Sequence, residues 1–270
     1  MIDAAFVLVI VSALAVAIGW GWRRLRGRAK ARAWAIGRVV LAGALGLAVG
    51  GSLLWALMGS RTFQVAGDLV WRVDTDQKLV ALTFDDGPQP AYLPEVLATL
   101  SAHQAKATFF LTGNEIAQNP ESTAELVAAG HQLGNHTWDH TRMLFLDPPQ
   151  LAAEIDRTDQ AIAAAGYRGP IMVRPPNGKR LFAAPFYLAQ GQRTTVMWSL
   201  EPDSVADIAD NPEAMRRYVT SQVRPGDIIL MHVMYDSRDA SRAALGLILD
   251  DLAAQGYQFV TVDQLLAARR

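Results

Sequence analysis

Residues 79–88 read LVALTFDDGP, an apolar run that stops at two adjacent carboxylates, Asp85 and Asp86, and a Gly-Pro pair. A run this short, closed by turn residues, reads as a buried strand. Moving along the chain, similar pieces recur as ATFFL (107–111), around 131–134, and as IMVR (171–174), TTVMW (194–198), IILMH (228–232) and FVTV (259–262), about seven strands in all. Between them lie stretches with helical periodicity and start signals, at 94–103, 121–129, 151–165, 185–189, 212–223 and 241–255. Near-continuous apolar strands alternating with helices predict an α/β fold with a parallel sheet covered on its outer face, either a barrel or an open doubly wound sheet. Residues 61–77 read as a linker with a β-like piece at 69–73, which leaves 78–270 as the folded domain.

Upstream the composition changes. Hydrophobic residues make up 51% of the 270-residue chain, and the excess is concentrated in residues 1–60. Residues 4–20 and 39–58 are uncharged apolar runs, and a spanning helix needs about 20 such residues. They predict a membrane anchor of two transmembrane helices in the lipid bilayer. The basic cluster between them (Arg23, Arg24, Arg26, Arg28, Lys30, Arg32, with Arg38 following) predicts a cytoplasmic loop and an extracytoplasmic domain after it, hence a multi-pass protein of the cell membrane. Those seven cations against Asp3 give residues 1–60 about +6; since the whole chain sums to −1, the remainder carries about −7. An acidic remainder argues against nucleic acid as a partner. The chain has no cysteine, which excludes disulfides, thiolate nucleophiles and Cys-ligated zinc.

In strand–helix folds of this kind reactive groups gather at the carboxyl ends of the strands. There the chain places Asp85-Asp86, then Asn135-His136-Thr137-Trp138-Asp139-His140, Arg174-Pro175-Pro176-Asn177-Gly178, and Leu230-Met231-His232. Asp-Gly-Pro alone is also a common turn. Histidines four apart share one face of a helical turn, so His136 and His140 can reach one metal ion. A carboxylate and two imidazoles form a three-ligand set that leaves room for water and substrate. The position after His136 is Thr137, not the Glu of zinc proteases, so a general base must come from another element. Arg174 beside an active-site carboxylate would hold it ionised.

Taken in order, TFDDGP, HTWDH, RPPNG, WSLEPDS and LMH resemble the five successive motifs of the polysaccharide deacetylase family, carbohydrate esterase family four, over residues 78–267. The resemblance implies a distorted (β/α)7 barrel that removes N-acetyl groups from an amino-sugar polymer such as peptidoglycan, a chitin-like glycan or an exopolysaccharide. It implies that Asp86, His136 and His140 bind a divalent metal, usually Zn2+. Asp85 would be the general base, Arg174 its orienting partner and His232 the general acid. Leu230 would line the acetyl pocket, and the backbone N–H of Asn177 would help to hold the oxyanion. Two departures stand out. Asn177 replaces the common Tyr, and the fourth motif reads Glu201-Pro202-Asp203-Ser204-Val205 where Asp-x-x-Asp-Trp is typical. Asp203, displaced by one position, becomes the candidate to orient His232, and Trp198 a candidate pocket wall. Two other readings stay open: a non-catalytic extracytoplasmic carbohydrate-binding protein on the same scaffold, and a deacylase of a lipid-linked sugar or another amide.

Overall fold

The computed structural model describes residues 28–270. The apolar run at 4–20 and Arg23, Arg24 and Arg26 lie outside the described residues. The described residues divide into two units between Leu57 and Met58. In the first, α1 (Arg28–Met58) is one helix without a proline. Its stretch Lys30–Met58 has 29 residues and a mean hydropathy of 2.0, and none of its most apolar window is buried. At 1.5 Å per residue it extends about 44 Å, enough to cross a hydrocarbon core of about 30 Å. Among the described residues it is the one helix long and apolar enough to cross a membrane, and it includes Arg28, Lys30 and Arg32, which were expected in a loop and are helical instead.

The second unit is built on β2 (Leu79–Asp85), buried from Val80 onward. It pairs in parallel with β3 (Ala107–Leu111) on one edge and with β6 (Ile228–Met231) on the other, while β7 (Gln258–Phe259) pairs with its first two residues. β3 pairs with β4 (Gln132–Asn135), and β1 (Leu69–Val70) with β5 (Thr195–Val196), all in parallel. Seven strands are present among the described residues, but not the seven expected. The run at 171–174 forms no strand; Val173 alone bridges Asn135 on one side and Thr195 on the other. Pro170, Pro175 and Pro176 bracket it, and proline has no N–H to extend a ladder. Leu200 bridges Ile229, so the parallel pairings close a circuit through two single-residue links. The run at 259–262 is cut short as well. Gln264 accepts the Thr261 backbone N–H at 3.1 Å and starts α9 (Val262–Ala267) there. That T-V-D-Q signal is legible as a helix start.

Alternation along β2 sorts the interior into two layers. Val80, Leu82 and Phe84 join the large cluster that packs under α2 (Leu93–Ala102), α4 (Pro120–Ala128), α5 (Pro148–Ala164), α7 (Pro212–Gln222) and α8 (Asp239–Ala254). Ala81 belongs to a second cluster with Phe110, Trp198 and Leu230. Thr83 and Asp85 share Ala81's side of the strand, which sends a carboxylate towards the inside of the circuit. The same alternation on β6 puts Ile229 and Met231 in the outer cluster and Leu230 in the inner one.

His131 belongs to this core rather than to any site. It is 6% exposed, its Nδ1 accepts the Ala107 backbone N–H at 3.2 Å, and its ring meets Phe109 edge to face. Burial, with a smaller push from Lys106, lowers its pKa to about 4. A folded-state value below the unfolded value near 6.5 means that the unfolded chain binds the extra proton first as pH falls. The stability His131 contributes is therefore present above pH 6.5 and is lost between 6.5 and 4, by about 3 kcal/mol. Urea unfolding of parent and His131→Asn across this range should show a shallower pH slope in the variant; parallel slopes would contradict the assignment.

Candidate active site

Asp85 ends β2 with 3% exposure, facing Arg174, which is fully buried. Arg174 Nη1 donates to Asp85 Oδ1 at 2.7 Å and to Thr83 Oγ1 at 2.8 Å, while Nε and Nη2 donate to the carbonyls of Val196 and Met197. The guanidinium carbon also lies 4.1 Å from the centre of the Phe110 ring. Burial raises the Asp85 pKa, but Arg174, His136 and His232 outweigh it and hold the carboxyl below the usual carboxylate range. The carboxylate is thus kept ionised in an interior position.

Asp86 sits one residue beyond the strand at φ 74°, its N–H bonded to the Phe110 carbonyl. Its Oδ1 lies 3.5 Å from His140 Nε2 and 3.8 Å from His136 Nε2, and the two imidazole centres are 5.0 Å apart. The two histidines do not share a helical turn, as their spacing suggested. Residues 136–141 are a loop with positive φ at Thr137 and His140. Glu154 of α5 holds this loop by accepting the N–H groups of Trp138 and Asp139 and the Thr141 hydroxyl, and Asn135 Oδ1 accepts the Thr137 N–H. Side-chain acceptors from neighbouring elements therefore do what a helix was expected to do. Burial and the neighbouring His136 lower the His140 pKa against the pull of Asp86 and Asp85, which favours the neutral, lone-pair-bearing ring.

The trio has the features of a cation site. One donor atom each from Asp86, His136 and His140 lies within 4.8 Å of the others. Ligands about 2.1 Å from a shared tetrahedral ion stand about 3.4 Å apart, close to the separations at Asp86. His136 Nδ1 is 2.8 Å from the Arg174 carbonyl oxygen. A carbonyl only accepts, so Nδ1 carries the proton and Nε2 keeps a lone pair on the side of Asp86, an arrangement usual for metal-binding histidines. The residues present therefore fit a divalent metal.

His232 follows β6 directly. Its backbone N–H donates to Asp203 Oδ2 at 2.6 Å, and its Nδ1 is 3.3 Å from the same oxygen. Asp203 is 2% exposed and also accepts the Ser241 hydroxyl at 3.2 Å. Burial opposes the imidazolium, yet Asp203, Asp85 and Asp86 together raise the His232 pKa to about 9, so the ring is charged at neutral pH. Trp198 Nε1 donates to Glu201 at 2.7 Å, which fixes the indole, and Asn177, at φ 53°, has its Oδ1 bonded to Arg142 Nε at 2.7 Å.

Of the ten residues singled out from the sequence, Asp85, Asp86, His136, His140, Asn177, Trp198, Leu230 and His232 border one cavity of about 440 Å³. Arg174 sits behind Asp85, and Asp203 sits behind His232. Sequence reasoning missed Glu115. This carboxylate, 9% exposed, accepts the Gly87 N–H at 2.8 Å, the Thr112 hydroxyl and the Gln89 amide at 2.6 Å each, and the Tyr235 hydroxyl at 3.1 Å. It braces the turn that carries Asp86. Thr112-Gly-Asn-Glu115 is legible as a helix start and does open α3 (Gly113–Gln118), but no local pattern announces that the Glu side chain reaches Gly87.

Comparison with known proteins adds an independent line. The family model described as polysaccharide deacetylase matches residues 72–190. A peptidoglycan-N-acetylglucosamine deacetylase of Bacillus cereus is 33% identical over 206 residues, covering 76% of this chain and 96% of that protein. A peptidoglycan-N-acetylmuramic acid deacetylase of Bacillus subtilis is 34% identical over 194 residues, 72% of this chain but only 40% of that longer protein. Among solved structures, a CE4 family pseudoenzyme from Bacillus anthracis superposes with a TM-score of 0.68 at 26% identity, covering 76% of this chain and 71% of that one.

Proposed function

We propose that this chain, a member of the polysaccharide deacetylase family and a polysaccharide N-deacetylase, uses a divalent metal, held by Asp86, His136 and His140, to hydrolyse acetamido groups of a cell-wall amino-sugar polymer outside the membrane that α1 anchors it to. The observation that carries this reading is the placing of an ionised buried carboxylate, Asp85, and a protonated imidazole, His232, at one cavity with the three metal-ligand candidates. A substrate amide there meets a base and an acid at once.

Bound at the trio, a divalent cation such as zinc would supply a Lewis acid for the acetyl carbonyl and bring the pKa of water at an open position towards neutrality. Asp85 takes the proton from the attacking water; Arg174 keeps that carboxylate ionised and fixed beforehand. The acetyl methyl lies against Leu230. The Asn177 backbone N–H helps to hold the carbonyl oxygen as charge gathers on it. When the C–N bond breaks, His232 delivers its proton to the departing nitrogen, and Asp203 holds the ring through its Nδ1. Acetate and a free amine result.

A pseudoenzyme on this fold exists, so possession of the fold does not decide activity. The full chain in detergent, given zinc and either N-acetylglucosamine oligomers or peptidoglycan, is expected to release acetate. Release should disappear on chelation and return on adding zinc. A chelated sample that keeps full activity would remove the metal from the mechanism. Absence of acetate from every glycan would favour a carbohydrate-binding role on the same scaffold. The location has its own test: a reporter fused after Arg270 should be active outside the cytoplasm.

A further inference from the structure

We infer that the face carrying Phe63, Val65, Phe145, Phe182 and Phe186 rests on the lipid surface of the membrane that α1 enters, with these side chains in the acyl boundary. This rests on the membrane-anchor part of the reading above and goes beyond it, since an anchor alone leaves a domain free to turn on its tether. Between residues 58 and 270 eight large apolar residues are exposed, these five with Trp71, Tyr235 and Leu247. Phe84, Phe109, Phe110 and Phe259 are buried, so every exposed phenylalanine of the second unit belongs to this one face. Exposed apolar side chains scattered singly are ordinary, whereas a cluster of them marks an interaction surface.

Backbone contacts bring the five together. Met143 and Arg180 pair in parallel; the Met143 N–H donates to the Lys179 carbonyl and the Leu181 N–H to that of Met143. Phe145 and Phe182 each lie two residues beyond this pair. Phe182 precedes α6 (Ala183–Gln190), and the Phe186 N–H donates to the Phe182 carbonyl at 3.3 Å, so the two side chains stand one turn apart on one side of the helix. Residues 60–67 are laid along α6. At one end Arg180 Nη2 donates to the Ser60 and Phe63 carbonyls at 2.8 Å each. At the other, a Cβ added at Gly67 would stand 3.0 Å from the Ala189 Cβ. Val65 lies between these two fixed points.

Lipid is the occupant because of where the chain enters this face. Met58 is the last residue of α1 and the first of the second unit. It is buried, and its carbonyl accepts the Arg180 N–H at 3.1 Å. The residue that ties down the end of the anchor is thus two positions from Phe182, and its guanidinium holds Phe63 as well. The apolar stretch of α1 runs to Met58 itself, so lipid reaches the place where these side chains gather. A few rings bind a bilayer only weakly from free solution, but the tether makes the encounter intramolecular, at a high effective concentration. The chain beyond residue 60 carries about −7 and is repelled by anionic headgroups, which leaves apolar insertion as the attractive contact and makes it insensitive to salt. Asn177, which borders the cavity, lies three residues before Arg180, so docking of this face also sets how far the cavity stands from the lipid.

The chain has no cysteine, so a single introduced one carries a nitroxide label at a known place. Full-length protein is reconstituted in phosphatidylcholine vesicles, with and without phosphatidylglycerol, and labelled in separate samples at Phe145→Cys, at Leu45→Cys in α1 and at Leu247→Cys in α8. Collision of each label with oxygen, which concentrates in lipid, is compared with its collision with a water-soluble chromium complex. Labels at 45 and 145 should favour oxygen severalfold, the one at 145 at a depth of about 5–10 Å that salt does not change, while the label at 247 favours the chromium complex. In a Phe182→Ser/Phe186→Ser background with parent zinc content, the label at 145 should move to the aqueous side and the label at 45 should stay in lipid. A label at 145 as aqueous as that at 247 overturns the inference, and so does one that keeps its depth in the serine background. An aqueous label at 45 is a separate failure, that of the anchor reading, and removes this inference with it. No readout here depends on turnover, so the outcome stands apart from that of the deacetylase chemistry.

Discussion

Asp85→Asn is expected to lower kcat by about 10²–10⁴ with little change in KM, the range over which a positioned general base acts. The substitution keeps shape and retains an oxygen that can accept from Arg174 Nη1, so the hydrogen bond now at 2.7 Å survives. It removes the one thing the mechanism needs, an ionised oxygen able to take a proton. Metal content is expected to stay near that of the parent, since Asp86, His136 and His140 supply the ligand atoms. Rates measured at saturating glycan, with bound zinc quantified in the same sample, separate the two effects. Parent-level turnover in the variant would take Asp85 out of the chemistry; loss of metal along with activity would make it part of the metal site instead.

Arg174→Met is expected to cost about 3–5 kcal/mol of folding stability at neutral pH. Arg174 is fully buried and gives hydrogen bonds to Asp85, Thr83, Val196 and Met197. Methionine fills part of the space but leaves the Asp85 carboxylate in the interior without its cation. The penalty has a sign in pH. With Arg174 gone, the burial that now opposes ionisation of Asp85 prevails and its pKa rises. Protonation then removes the unpaired charge, so the gap between variant and parent should narrow as pH falls below that raised value. Urea midpoints at pH 7 and pH 5 read this directly. Arg174→Met/Asp85→Leu should recover much of the loss, because a pair replaced by apolar groups leaves nothing uncompensated. A single variant as stable as the parent at pH 7 would mean that Asp85 does not depend on Arg174.

The two substitutions probe different depths of the same arrangement, and the sequence exposed these depths unequally. A near-continuous apolar run from Leu79 to Phe84 marks a buried strand, but which side Asp85 faces follows only from the two clusters that the folded strand separates. The RPPNG segment was harder. Its apolar run looked like a strand, but the flanking prolines cannot join a ladder, and only Val173 pairs. Their spacing predicts His136 and His140 as neighbours on a helical turn, while the chain brings them together in a loop pinned by Glu154, fourteen residues beyond His140. Local spacing drew notice to the pair, but the mechanism it implied was not the one the fold uses.

By itself the sequence determined the strand–helix alternation, the long apolar helix, and the positions of the carboxylates and imidazoles near strand ends, because each follows from a pattern within about ten residues. Only the tertiary structure decided that Glu115, bonded to Tyr235, braces the Asp86 turn, and that Glu154 pins the loop that carries both histidines. These pairings join residues up to 120 positions apart in the chain. No local propensity encodes them. They arise when packing closes the circuit of strands and buried polar atoms must find whichever partners lie within reach.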